Sequence, residues 1–230
     1  MDDAIEGVRK MLQNFTFNED AQKDVCLRMI YHAGANIFDH AYGNGFDFPD
    51  PLKKGFVAVR LFSTKGFHQI LRHAPQEIKK YMEYLRSDGE TISIVVADAG
   101  KGIWRALDPS KKMSELECIK EAFKKGISSK TVKDSSDPKR GLGLYRVQKF
   151  INEQKGYLEI RSGRSRYIMI PKEVCMIHGI YPDDLSIDGK LEEFPGVQFR
   201  IYIPLNACAK KEKQLFMFDE GYLWNRNSNS

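Results

Sequence analysis

Residues 91–103 read Thr91-Ile-Ser-Ile-Val-Val-Ala-Asp98-Ala-Gly100-Lys-Gly102-Ile103. Six of the first seven are β-branched or small and apolar, which predicts a buried strand. It ends at a carboxylate followed by two glycines one residue apart. Small residues let a flat ring approach the backbone closely, and a strand-end carboxylate accepts a hydrogen bond from an exocyclic amine. Taken alone the same residues also fit an ordinary turn, because Asp and Gly are common turn formers.

Working outward, Asn18-Glu19-Asp20 reads as a helix start. From there Val25, Met29, Ile30, Ala33, Ile37, Phe38 and Ala41 recur at helical spacing, until Tyr42-Gly43-Asn44-Gly45 breaks the pattern. Beside that apolar stripe His32, Asn36 and His40 stand four apart, drifting only ~40° per step around a helix. They line one face, with Asp39 adjacent. A solvated face with capping roles explains this stripe as well as a binding surface does. Further along, Lys139-Arg140-Gly141-Leu142-Gly143-Leu144 opens a helix running to about Glu153, with Leu144, Val147, Phe150 and Ile151 on one face. Exposed amides, a helix N-terminus and two adjacent cations are phosphate-binding chemistry, although a short Gly-x-Gly is weak by itself.

The remaining pattern places strands at Phe56–Phe62, Tyr157–Arg161, Tyr167–Ile170 and Val197–Ile203, and helices over 75–85 and 115–124. Residues 99–140 combine glycines, prolines and lysine-rich stretches and predict a mobile connector. From Lys101 to Arg166 there are 17 Lys and Arg against 8 Asp and Glu, so a chain of net charge +5 concentrates its positive charge in the middle. Phosphates of a nucleotide, nucleic acid or solvent all suit such a segment.

The chain has 230 residues, 42% hydrophobic and 29% charged, which suits one large domain with a true core and excludes a largely disordered chain. No apolar run approaches the ~20 residues of a membrane span, and the acidic start, Met1 to Glu6, lacks the pattern of a secretory leader. Cys26, Cys118, Cys175 and Cys208 are widely spaced, which favours reduced thiols over a disulfide frame or a zinc site. A cytoplasmic protein with an α+β two-layer sandwich is the expectation, its helices on one face of the sheet.

The order of the three segments resembles the GHKL ATPase superfamily, which includes gyrase-type topoisomerases, heat-shock chaperone ATPases, histidine kinases and mismatch-repair ATPases. The resemblance spans about 20–205, flanked by a helical extension over 1–19 and a tail over 206–230. It implies a Bergerat-type ATP-binding fold with a mixed sheet, insertions at about 63–90 and 165–195, and an ATP lid over about 104–139. By motif, Asn36 resembles the asparagine that coordinates Mg2+. Asp98 resembles the carboxylate that reads the adenine amine, with Gly100, Gly102 and Ile103 beside the base. Lys139, Arg140, Gly141, Leu142, Gly143 and Leu144 resemble the phosphate-binding turn, and Asp39 and His40 resemble residues near the phosphates. Hydrolysing branches carry Glu four residues before the asparagine. Here that position is His32, a candidate catalytic group compatible with phosphoryl transfer.

The resemblance implies ATP and Mg2+ as cofactors, and a nucleotide-controlled switch or protein kinase acting on a partner protein encoded nearby. A slow ATPase subunit working with a separately encoded effector, in stress or phage defence, is the alternative. A nucleic-acid module using residues 101–166 is a third, weakened because aromatic residues are not interleaved with its cations. Few residues flank the domain, so a stand-alone member, most like the anti-sigma-factor kinases, is expected. A second copy of the chain as a dimer partner is also compatible with this reading.

Overall fold

The computed structural model describes residues 10, 27–34, 55–62, 79, 81–83, 91–127, 142–179 and 182–204. Strands β1 (Gly55–Phe62), β2 (Thr91–Asp98), β3 (Tyr157–Gly163), β4 (Ser165–Met169) and β5 (Phe194–Pro204) form one sheet in the order β1-β2-β5-β3-β4. Every pairing is antiparallel. The fold is therefore α+β, and the expected mixed sheet is corrected: each strand in the described set meets its neighbours by reversal of direction. The β3–β4 reversal takes only two residues, between the paired Ser162 and Ser165, with Gly163 at φ +59°.

Alternation along the strands gives the sheet two different faces. Ile92, Ile94 and Val96 of β2, Leu158 and Ile160 of β3, and Phe199, Ile201 and Ile203 of β5 point into the principal core. Helix α1 (27–34) covers this face with Met29, Ile30 and Ala33. Helix α4 (Gly143–Glu153) adds Val147 and Ile151, with Leu144 and Phe150 packed at the margin, the face its spacing predicts. Between them lie α2 (Gly102–Leu107) and α3 (Glu115–Ala122).

Helix α3 lies where a helix over 115–124 is expected, inside the stretch otherwise read as a connector. Ser114 Oγ accepts from Glu117 N and Glu117 Oε2 accepts from Ser114 N, a reciprocal cap. Cys118, Ile119, Ala122 and Phe123 are buried in the principal core. Gly100, Gly102, Pro109 and Gly126 flank the short helices α2 and α3. Residues 128–139 lie outside the described residues.

The opposite face is covered too, at its β3–β4 end, which corrects the expectation of helices on one side only. Helices α5 (Lys172–His178) and α6 (Pro182–Leu185) contribute Val174 and Leu185, and Tyr81 and Met82 join them over Tyr157, Ile168, Ile170 and Tyr202. Tyr157 lies 5.4 Å from the Tyr81 ring and 5.6 Å from the Tyr202 ring, and Tyr81 Oη donates to Lys155 O at 2.9 Å. The described parts of the two expected insertions thus meet here. Their reason is physical: three large tyrosine rings on one sheet face need apolar cover. No helix among the described residues is long and apolar enough to cross a membrane.

Ile119→Ala or Phe123→Ala should lower stability by about 2–5 kcal/mol in urea unfolding. A loss below about 0.5 kcal/mol would mean that α3 leaves the core readily.

Candidate functional site

Asp98 closes β2 on the side that faces the principal core, and only 5% of it is exposed. Its Oδ1 accepts from Gly100 N at 2.7 Å, and Val197 N also donates to the carboxylate. Its Oδ2 is buried without a hydrogen-bond partner. Burial raises the Asp98 pKa from 3.8 to about 6, against the opposing pull of the Gly100 and Val197 amides. At neutral pH the group is thus chiefly a carboxylate with one oxygen unsatisfied, and an amine or amide donor would satisfy it.

Residues distant in the chain hold this corner. Gly196 has φ +84°, and a Cβ there would overlap the carbonyl and Oδ1 of Asp98. Gly102 has φ +76°, and its Cβ would meet Ser162 Oγ at 2.9 Å and Gly196 O at 3.3 Å. Ser162 Oγ also accepts from Ile103 N at 2.9 Å, which ties the first turn of α2 to the end of β3. Gly100, Gly102 and Ile103 are all buried at this junction. Sequence reading found Asp98, Gly100, Gly102 and Ile103 but missed Ser162 and Gly196. The Pro195-Gly196 pair is a turn signal, yet nothing in it says which residue the glycine must clear.

Leu142, Gly143 and Leu144 open α4, half-buried, with no side-chain cap and no acidic residue in the first turn. Its leading amides carry the partial positive charge of a helix start. His32 stands on α1, its ring edge-on to Tyr31 with centroids 5.4 Å apart. Burial lowers its pKa from 6.5 to about 4, and the positive charges of Arg146, on the first turns of α4, and Arg28 push the same way. The imidazole is neutral at physiological pH. His32 and α4 are therefore electrostatic neighbours. Ala33, Val96, Ile103 and Val147, with Leu144 against them, belong to one buried cluster that joins α1, the end of β2, α2 and α4.

No protein-family model, curated protein or solved structure matches the chain. The function must therefore be argued from these residues. Asn36, Asp39, His40, Lys139, Arg140 and Gly141 lie outside the described residues. Among the described residues no three His, Cys, Asp or Glu side chains converge to hold a metal. Cys118 and Cys175 carry free thiols, and burial raises the Cys118 pKa to about 11, which leaves it a poor nucleophile.

Two outcomes follow. Gly196→Ala should cost about 2 kcal/mol or more in thermal denaturation, combining a positive φ with overlap on Asp98. Gly189→Ala, at φ +64° with open space around it, should cost only about 1 kcal/mol. The second outcome is a pair of opposed pH dependences. Asp98, with its pKa raised in the fold, contributes stability that is full below pH 3.8 and lost as pH rises through about 6. His32, with its pKa depressed, contributes stability that is full above 6.5 and lost as pH falls toward about 4. Asp98→Asn should therefore gain about 1–3 kcal/mol over the parent above pH 6 and nothing near pH 4, in urea unfolding at each pH.

Proposed function

We propose that the chain is an ATP-binding protein of the GHKL type, dependent on Mg2+, that acts as a nucleotide-controlled switch or as a kinase of a partner protein. One observation carries the reading: Asp98 Oδ2 is buried and unpartnered at the end of the apolar strand β2. An adenine amine has the donor this oxygen lacks, and the amide-held Oδ1 keeps the carboxylate oriented for it. Gly100 carries no side chain beside this carboxylate, whereas the side-chain direction of Gly102 is filled by Ser162 Oγ and Gly196 O. The uncapped start of α4 supplies amides and partial positive charge for a phosphate chain. Asn36 is the residue proposed to hold Mg2+, and Lys139, Arg140 and Gly141 would extend the phosphate turn. The metal would neutralise phosphate charge.

His32 bears on the choice between switch and turnover. A group of pKa about 4 is a poor proton acceptor at neutral pH, so without nucleotide it serves as a hydrogen-bonding residue. A triphosphate nearby would raise its pKa toward the ordinary range and make it a competent base only then. This favours a bound-state switch or phosphoryl transfer over fast hydrolysis.

The nucleic-acid reading loses ground. Within the basic segment, Arg105 pairs with Glu193 at 3.0 Å, Lys120 with Asp183 at 2.9 Å and Lys155 with Glu173 at 3.0 Å. Lys149 lies 3.8 Å from Glu153. Cations already paired offer a polyanion less net charge.

Calorimetry with a non-hydrolysable ATP analogue tests the proposal. Binding should tighten as pH rises to about 6 and then level off, because only the ionised Asp98 accepts without also donating. Asp98→Asn should weaken it by about 1–3 kcal/mol, and Asn36→Ala should remove its Mg2+ dependence. Equal affinity for the parent and Asp98→Asn would overturn the assignment.

A further inference from the structure

The second face of the sheet, opposite the principal core, carries an exposed apolar strip at its β1–β2–β5 end. Register sets its side chains in rows across the strands: Phe56, Ala97 and Gln198 in one, Ala58, Val95 and Arg200 in the next. The tyrosine cluster begins one row further along, with Tyr202 and Tyr157. Phe56 is 54% exposed and Ala58 is exposed, while Val95 and Gln198 are half-buried and Ala97 is buried. Val57 and Val59, the alternate residues of β1, pack on the principal core, so Phe56 and Ala58 point away from it. Arg200 borders the strip, with 41% of its side chain exposed and Glu159 at 3.6 Å.

The sequence contains a segment of matching character. Residues 205–230 lie outside the described residues, and within them 215–224 read Leu215-Phe-Met-Phe-Asp219-Glu220-Gly-Tyr-Leu-Trp224. Seven of these ten are apolar or aromatic, arranged on both sides of an acidic pair, whereas 206–214 carry three lysines. Burying such a run is favourable. Strand β5 carries Gln198 and Arg200 and ends at Pro204. The ten residues 205–214 reach ~33 Å when extended. The strip lies back along β5 from Pro204 by only ~20 Å. The chain between is long enough.

We propose that residues 215–224 dock on this strip as an intramolecular cover of the second face, their apolar side chains on Phe56, Ala58 and Val95 and the Asp219–Glu220 pair toward Arg200. Charge selects this occupant. A second copy meeting the strip face to face would bring another Arg200 and no exposed acid, whereas the segment brings two acids to one guanidinium. The cover would bear on the Asp98 corner from behind, because Ala97 precedes Asp98 and Gln198 follows Val197, whose amide donates to that carboxylate. It shares no residue with the nucleotide reading and does not depend on it.

The test is fluorine NMR of the full chain labelled with 5-fluorotryptophan. Trp104 and Trp224 are the two tryptophans, and their signals are assigned by the loss of one in Trp224→Phe. Trp104 packs against the principal core, so its signal reports that each variant is folded. The Trp224 signal should lie apart from that of a synthetic 215–224 peptide and move onto it in Phe56→Asp and in Ala58→Asp. Arg200→Gln should lower the docked-to-free ratio about threefold, the worth of an exposed ion pair. Asp219→Lys combined with Glu220→Lys leaves the strands untouched and should also release the segment, which decides the matter even if a strand variant fails to fold. A parent Trp224 signal that coincides with the free peptide, or one that none of these substitutions moves, would overturn the proposal. A signal that shifts with chain concentration would assign the contact to a second copy and overturn the intramolecular cover.

Discussion

A carboxylate buried at the end of an apolar strand, with one oxygen satisfied and the other not, is the constraint around which this molecule is arranged. Ionising Asp98 there is unfavourable, which is why its pKa rises to about 6. The fold tolerates it through three residues that come from elsewhere in the chain. Gly196 leaves room beside the carboxylate, Gly102 turns away at positive φ, and Ser162 holds the first amide of the next helix. Each is specific to the corner. An apolar residue at position 98 would relieve the cost and remove the acceptor, a conflict of the kind that marks functional sites.

The antiparallel sheet gives that corner its rigidity and also separates it from a second surface. Even-numbered residues of β2 and β3 pack against α1 to α4, while odd-numbered residues carry Tyr157, Glu159 and Arg161 to the other side. There Tyr81, Met82, Val174 and Leu185 build a small aromatic core with the strand tyrosines, and the carbonyls of Leu185 and Glu192 accept from Arg166 and Arg161. A one-residue slip of register would exchange these sets, placing cations in the apolar core and isoleucines on the polar face. Register is thus strongly determined on both sides.

Much of this was legible before any coordinates, and its limits are instructive. The strand Thr91–Asp98 and the apolar face of 143–153 are local patterns, and they appear where the spacing predicts them. Within 99–140 the helix expected over 115–124 is present as α3. The decisive signal was the Ser114 and Glu117 cap, followed by Cys118, Ile119 and Ala122 on one helix face. The helices on the second face were missed: α5 and α6 are too short for their periodicity to stand out, and only the tyrosines beneath them explain their burial.

By itself the sequence determined the local elements, the strand-end Asp98 with its glycines, and the basic middle of the chain, because these depend on residues within a few positions of one another. The tertiary structure alone decided that Gly196 and Ser162 serve Asp98, that Arg146 bears on His32, and that Arg161 pairs with Arg166 across the β3–β4 hairpin. Contacts between residues tens of positions apart depend on strand order and register. Those are set by how the whole sheet buries its two faces, which no short stretch of sequence encodes.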